Sequence, residues 1–381
     1  MEGKNQKTRV IPVVLGLLLS GTSATEAAST FMGLGDLPGG EFLSQAWGVS
    51  ADGSTVVGSS LSDKGQEAFR WTKQSGMQGL GGLSRSQKRF VSVASAVSAD
   101  GSVVVGTSTS DNGVEAYRWT QGGGMQGLGH LAGGDNSSSA AGVSADGSIV
   151  VGTSRSAKGV EAFRWTKSHG MQGLGDLPGG PFESAVMGVS ADGLTVVGYS
   201  RSDKGDEAFQ WTESRGMQGL GNLPGSDFHS YAFSVSADGT VVVGRGTSTG
   251  YEAFRWTWRG GMQGLGSLSR SYQYSMAQAV SADGTIVVGI SAPKVGTGPK
   301  ARKADDEAFL WDRTHGMRKL KDVLIKDFGL GPQLAKWELS VATGISADGR
   351  TIVGFGWNPA RQREAWLVQL DSLPSQQKKV K

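Results

Sequence analysis

Short runs of alternating apolar and polar residues recur along most of the chain and predict β-strands. Ser44 to Ala51 carries a small residue at every second position, which is the period of a strand, and Thr55 to Ser59 is rich in β-branched residues. Two more short runs, Glu67 to Thr72 and Met77 to Leu83, follow before the pattern starts again. Only Leu320 to Phe328 has the period of a helix. The pattern therefore predicts an all-β chain built from groups of four short strands.

A Ser-Ala-Asp-Gly sequence separates the first two strands of each group and marks an internal repeat. Asp-Gly is typical of a tight hairpin turn, because Gly adopts positive φ and Asp can bond to its own backbone. Seven copies occur, with spacings of 48, 46, 46, 46, 45 and 65 residues. They begin at Ser50, Ser98, Ser144, Ser190, Ser236, Ser281 and Ser346.

Two further signatures recur in step with these turns. The third strand begins with Glu-Ala-aromatic, at Glu67, Glu115, Glu161, Glu207, Glu252, Glu307 and Glu364. The fourth strand carries Gly-Leu-Gly-x-Leu, at Gly33, Gly79, Gly127, Gly173, Gly219 and Gly264, with a degenerate copy near Leu320. Each signature therefore totals seven.

Four strands in about 46 residues is the size of one blade of a β-propeller. A parallel β-helix is the less favoured alternative, because its coil is shorter. The chain begins with a lone fourth strand, Phe31 to Leu37, and ends with three strands between Ser340 and Leu370. The sequence thus predicts an all-β, seven-bladed β-propeller with four-stranded blades, in which the N-terminal strand completes the last blade and closes the ring.

The first residues do not resemble the repeats. A basic segment ends at Arg9, an apolar run covers Val10 to Leu19, and small residues follow, which is the layout of a signal peptide. We expect a signal peptide over residues 1–27, the propeller over 28–371 and a basic disordered tail over 372–381. The protein is then secreted, or held at the surface or in the periplasm of a bacterium, with no membrane span after cleavage.

The composition of the chain excludes several classes of function. The 381 residues include 61 Gly and no Cys, so disulfides, thiol catalysis and Cys-ligated metals are excluded. The net charge of +3 lies largely at the two ends, and no basic stripe suited to nucleic acid is present. We therefore expect no nucleic-acid partner.

Together the three signatures resemble the HAF-repeat family of bacterial extracellular repeat proteins, named for a His-Ala-Phe in the third strand. Here Glu replaces the His in every copy, the Ala is kept, and the Phe varies to Tyr117 and Trp366. The resemblance covers Phe31 to Leu370. It implies secretion or surface exposure and a repeat fold, and no shared biochemical activity.

The repeated polar residues are interpreted as scaffold. One Asp in each Ser-Ala-Asp-Gly copy is too few for a calcium loop, which needs several oxygen ligands, and suits a structural turn. The seven Glu of the third strand are expected to pair with neighbouring Arg such as Arg70, or to lie on a solvated rim. The four His have no ligand spacing. We predict no catalytic residue, no metal and no cofactor.

Function is expected where the repeats differ. Two insertions, Ser291 to Asp306 and Lys321 to Leu339, fall on the face that carries the connections between blades, and aromatic residues line the other connections. Variable loops on a rigid scaffold suit binding. The alternative is that the aromatics only cap the core beneath them. The predicted ligand-binding residues are Phe42, Phe90, Phe182, Phe228, His229, Tyr231, Tyr272, Tyr274, Lys294, Lys300, Arg302 and Lys303.

Three functions remain open on the sequence. The favoured one is a monomeric, secreted or surface-associated module that binds an unknown protein or glycan. The second is an extracellular glycan hydrolase or lyase at the channel mouth, for which the unrepeated acids are Glu183, Asp227, Asp305 and Asp306. The third, a structural envelope protein, has no feature that separates it from the first.

Overall fold

The computed structural model describes residues 28–84, 86, 88–225, 227–268, 274–292 and 306–374. The predicted signal peptide and residues 375–381 of the predicted tail lie outside this part of the chain. The described residues form 28 strands and one short helix, and no helix among them is long and apolar enough to cross a membrane. The prediction of an all-β chain is confirmed.

The described strands form hydrogen-bonded sheets of eight, twelve, four and four strands, and within them the antiparallel pairings run in groups of four strands, here called units and numbered in chain order. Their bounds are, for unit 1, β2 (Gly39–Val49), β3 (Thr55–Ser62), β4 (Gly65–Thr72) and β5 (Gly76–Gly79); for unit 2, β6 (Ser92–Val97), β7 (Val103–Ser110), β8 (Gly113–Thr120) and β9 (Gly124–Gly127); for unit 3, β10 (Gly133–Val143), β11 (Ile149–Ser156), β12 (Gly159–Thr166) and β13 (Gly170–Gly173); for unit 4, β14 (Gly179–Val189), β15 (Thr195–Ser202), β16 (Gly205–Thr212) and β17 (Gly216–Gly219); for unit 5, β18 (Ser230–Val235), β19 (Val241–Thr247), β20 (Tyr251–Thr257) and β21 (Gly261–Gly264); for unit 6, β22 (Ser275–Val280), β23 (Ile286–Ser291), β24 (Glu307–Asp312) and β25 (Gly316–Lys319); and for unit 7, β26 (Glu338–Ile345), β27 (Thr351–Trp357), β28 (Arg363–Gln369) and β1 (Thr30–Gly33).

The fourth strand of unit 7 comes from the other end of the chain. β1 pairs antiparallel with β28, with Thr30 opposite Gln369 and Gly33 opposite Trp366. This strand pairing is the one that the order of the sequence signatures predicts. It covers the backbone edge that β28 would otherwise leave unpaired.

The Ser-Ala-Asp-Gly turns are held by their own side chains. In unit 1, Asp52 Oδ1 accepts hydrogen bonds from Ser50 Oγ at 2.6 Å and from the Ser54 backbone N–H at 3.0 Å, and Gly53 has φ of +75°. Ser50 Oγ in turn accepts the N–H of Thr55. The same bonds recur in the other units, which confirms the structural interpretation of these Asp residues.

A cycle of backbone hydrogen bonds joins the seven turns. The N–H of each turn Ala donates to the carbonyl of the Ala in the next unit, at 2.8 to 3.2 Å. The last bond runs from Ala347 back to Ala51, so the cycle returns to its start. The participants are Ala51, Ala99, Ala145, Ala191, Ala237, Ala282 and Ala347.

The Glu of the third strand has a different role from the predicted one. Glu67 is only 4% exposed, and its Oε1 accepts the backbone N–H of Gly81 at 3.0 Å. A Cβ on Gly79 would lie 2.4 Å from that oxygen, so Gly is required beneath the carboxylate. The prediction of pairing with Arg70 or of a solvated rim is therefore wrong, because the carboxylate holds the connection to the next unit. Equivalent bonds join Glu115 to Gly129, Glu161 to Gly175, Glu207 to Gly221, Glu252 to Gly266 and Glu364 to Gly35.

In unit 6 an ion pair replaces this hydrogen bond of the third-strand Glu. Its fourth strand has Lys319 in place of the Gly, and the ammonium of Lys319 pairs with Glu307. The helix α1 (Leu320–Lys326) follows directly, as the periodicity of that segment predicts. Its Leu320 and Leu324 are buried in the same cluster as Trp337 and Trp366, so α1 covers the core between units 6 and 7.

The core lies between neighbouring units. The aromatic residue of each Glu-Ala-aromatic signature has no exposed surface in any unit, and it packs against valines of the adjoining strands. Arg70 reaches across the same boundary, where its Nε donates to the carbonyl of Gly101 in the next turn at 3.1 Å. Each unit thus depends on its neighbour for burial of its apolar face.

Strand lengths differ from the predicted ones for a local reason. β3 and β4 run further than predicted because a second tight turn, at Asp63 and Lys64, joins them directly. β5 ends at Gly79 and not at Leu83, because the N–H of Gly81 donates to the Glu67 carboxylate and not to a neighbouring strand.

The turn carboxylates make stability depend on pH in acid. Hydrogen bonds from Ser98 Oγ, and then from the Ser102 N–H and hydroxyl, lower the pKa of Asp100 from 3.8 to about 2. Since the folded-state pKa lies below the unfolded one, the contribution is complete above pH 3.8 and is lost as the pH falls towards 2. We expect carboxyl NMR titration to give this low pKa, and Ser98→Ala to raise it. An unshifted Asp100 in the wild-type protein would contradict the account of the turn.

Candidate binding site

The units differ most in the strands that meet the connections between units. The difference lies at five positions in each unit: two near the start of the first strand, two in the second strand, and one at the start of the third strand. In units 1–3 these fifteen positions hold no aromatic residue and one charged residue, Arg155. In units 4–6 they hold ten charged, imidazole or tyrosine residues: Asp306, and nine others that are here called the unit 4–6 cluster. Its members are Glu183, Tyr199, Arg201, Asp206, His229, Tyr231, Arg245, Tyr251 and Tyr274.

The seams between units bring the cluster together. At five seams among the described residues, the start of a third strand meets the start of the next first strand through a parallel β-bridge. One bridge joins Asp206 to His229, and the next joins Tyr251 to Tyr274. Side chains that are about 23 residues apart in sequence therefore become neighbours on one face. Four of the six tyrosines of the chain lie in this cluster.

Asp206 is the centre of the unit 4 side of the cluster. It accepts a short hydrogen bond from the hydroxyl of Tyr231, and His229 Nδ1 lies 3.4 Å from its Oδ2. Arg201 Nε lies 3.3 Å from Asp206 Oδ1 and 3.1 Å from Glu183 Oε2. Arg201 is thus neutralised by two carboxylates, and Asp206 is surrounded by three side chains, of which Tyr231 donates a hydrogen bond to it.

Both tyrosines beside Asp206 keep their protons at neutral pH. Burial raises the pKa of Tyr231, and the hydrogen bond to Asp206 and its negative charge raise it further. The pKa of Tyr199 is raised by burial and then by the charges of Glu183 and Asp206. The two rings lie 4.9 Å apart between their centroids. Both phenols therefore stay protonated at neutral pH, and that of Tyr231 donates to Asp206.

Arg245 occupies the unit 5 side and is held by rings instead of by acids. Its guanidinium carbon lies 4.7 Å from the centroid of Tyr231 and 4.6 Å from that of Tyr251. Nη1 lies 3.3 Å from the sulfur of Met276, and Nε is buried without a hydrogen-bond partner. Among the described residues no carboxylate forms an ion pair with Arg245. Tyr274 packs edge-on against Tyr251 at 6.3 Å and extends the aromatic wall.

The predicted binding residues divide into three groups. His229, Tyr231 and Tyr274 meet in the cluster. Phe42, Phe90, Phe182 and Phe228 are half-buried and distributed over separate seams. Lys158 Nζ lies 5.3 Å from the ring of Phe182, and Lys204 Nζ lies 5.7 Å from that of Phe228. Tyr272, Lys294, Lys300, Arg302 and Lys303 lie outside the described residues, so their role stays a prediction.

Sequence reasoning missed half of the cluster. It searched the connections between units, whereas Tyr199, Arg201, Asp206, Arg245 and Tyr251 lie within strands. The signal was present in the repeats, because aligning the interior strand positions separates units 4–6 from units 1–3. Glu183 was named as a candidate acid and does belong to the cluster.

The central cavity has a different chemistry. It has a volume of about 250 Å³ and is lined by the first strands of all seven units. One residue in each of these strands forms a bulge, and it differs from unit to unit, as in Trp47, Met187 and Phe233. No lining residue of this cavity is titratable. Acid–base catalysis therefore has no group in the cavity itself.

Comparisons with known proteins concern the fold alone. The chain matches no protein-family model and no curated protein sequence. Among solved structures it is similar to an oligogalacturonate lyase from Vibrio parahaemolyticus, with 9% identity, a TM-score of 0.55, and coverage of 90% of this chain and 97% of that one. TolB from Acinetobacter baumannii matches with 13% identity, a TM-score of 0.44 and coverage of 84% and 81%. The likeness to the lyase is one of architecture, and the chain has a β-propeller-like repeat fold.

The coupling between Tyr231 and Asp206 can be measured directly. Replacing Asp206 by Asn removes the charge that favours the protonated phenol, so the pKa of Tyr231 should fall. It should stay above its ordinary value, because burial is the larger cause and remains. Tyrosine absorbance or ring NMR during an alkaline titration measures this. Asp203→Asn, in the exposed turn of the same unit, is the control, and an equal shift in both variants would refute the coupling.

Proposed function

We propose that the protein is a secreted or surface-associated, closed seven-bladed propeller that binds a ligand through the unit 4–6 cluster. The observation that carries this proposal is the concentration of charged, imidazole and tyrosine side chains in three neighbouring units, at strand positions where units 1–3 hold one charged residue and no aromatic residue. Positions that are alike in all units maintain the fold. Positions that differ are free to serve recognition.

Closure of the ring is supported by three independent contacts between the chain ends. β1 pairs with β28, the hydrogen-bond cycle includes Ala347 and Ala51, and Ser44 Oγ accepts the N–H of Ala365 at 3.0 Å. A closed ring is rigid, and a rigid scaffold lowers the entropy that side chains lose when a ligand binds. Export is supported by the layout of residues 1–27.

The composition of the cluster favours recognition over chemistry. Tyrosines supply large, stiff contact surfaces, and Arg and Tyr are enriched where binding energy is concentrated. Asp206 already accepts a hydrogen bond from Tyr231 and lies beside Arg201 and His229, and Tyr231 holds its proton. Neither group is poised to take a proton from a substrate. These features support a binding module above the hydrolase or lyase alternative.

The test uses an internal control that the repeat provides. Tyr251 in unit 5 and Val114 in unit 2 occupy the same strand position, with exposures of 36% and 42%. A glycan array and a pull-down with residues 28–381 identify a ligand. Tyr251→Val should then weaken its binding roughly ten-fold, whereas Val114→Ala should leave it unchanged.

Two outcomes would overturn the assignment. Equal effects of the two substitutions would remove the unit 4–6 cluster from the binding site. Turnover of an arrayed glycan, without a lasting complex, would favour the enzyme. Thermal unfolding of both variants confirms that the fold is retained.

A further inference from the structure

We propose that the ligand is an acidic oligosaccharide built of uronic acid rings, and that one of its carboxylates pairs with Arg245. This inference rests on the proposed binding function and adds the chemical class of the ligand. It follows from the contrast between the two arginines of the unit 4–6 cluster.

Arg201 forms ion pairs within the protein, whereas Arg245 forms none with any residue that the structure describes. Arg201 Nε lies within 3.3 Å of both Glu183 and Asp206. Arg245 contacts two ring faces and one sulfur, none of which carries a negative charge. A guanidinium that is partly buried without an anion is a strong partner for a carboxylate from outside.

The rings fix how a carboxylate can approach. Tyr231 and Tyr251 cover the guanidinium, and Nε is buried, so the side-on pairing through Nε is closed. The terminal nitrogens remain, with Nη1 beside the sulfur of Met276. A carboxylate therefore meets Arg245 end-on, across Nη1 and Nη2. Arg245 is preorganised for this contact because the tyrosines already restrict its rotamers.

The surroundings favour a sugar over an acidic peptide. Glu183 and Asp206 lie in the same cluster and repel a second carboxylate placed beside them, whereas hydroxyl groups can donate hydrogen bonds to their oxygens. A uronic acid ring carries one carboxylate, several hydroxyls and an apolar face. The hydroxyls can bond to His229, whose side chain is 44% exposed, and to Glu183, while the ring face packs on Tyr251 or Tyr274.

Matched pairs of ligands test the carboxylate without altering the protein. Short oligosaccharides of galacturonic, glucuronic and mannuronic acid are titrated calorimetrically beside their methyl esters, which keep the sugar and remove the charge. The free acid of at least one series should bind about ten-fold or more tightly than its ester. Equal binding of acid and ester, or no binding of any oligouronate, overturns the inference.

Substitutions then locate the contact. Arg245→Gln should reduce the affinity for the free acid to that of the ester, and Arg245→Lys, which keeps the charge without the planar fork, should have an intermediate effect. Arg155→Gln, an exposed arginine of unit 3, is the control. An unchanged preference for the acid in Arg245→Gln overturns the assignment. Neither result would contradict the proposed binding function, because that function is tested separately, by the effect of Tyr251→Val on the ligand that the screen identifies.

Discussion

The cycle of hydrogen bonds between the seven turn alanines is the constraint on which the rest of the structure depends. Each bond fixes the distance between the first strands of two units at one end of the central cavity. The turns can make these bonds because the Asp and Ser side chains satisfy the remaining groups of each hairpin. Small residues in the first strands then let seven units approach one axis. The repeated sequence is explained by this geometry.

Two further contacts transmit the constraint outward. The Glu of each third strand, apart from that of unit 6, accepts a backbone N–H of the connection that leads to the next unit. The arginine three residues later donates to the next turn in units 1, 2 and 5. The connections and seams therefore have fixed positions. A side chain placed at a seam faces its counterpart in the next unit, which is how Asp206 meets His229 and Tyr231.

The sequence predicted the architecture well because the fold is repeated. The recurring signatures predicted the turn chemistry and the pairing of β1 with β28. The role of Glu67 could not be predicted, because its partner is a backbone N–H and has no sequence signal. The site was predicted in part. His229, Tyr231 and Tyr274 were found through the connections, whereas Arg245 and Asp206 were not, since whether two strand side chains share a seam depends on register between units.

The most direct measurement of the central account is amide hydrogen exchange at the seven turn alanines. Since each amide belongs to one cycle, Ala51, Ala282 and Ala347 should show the same strong protection as the alanines in the middle of the chain. Fast exchange at Ala347, with protection of the other six amides, would contradict the account. It would mean that the first and last units are not joined.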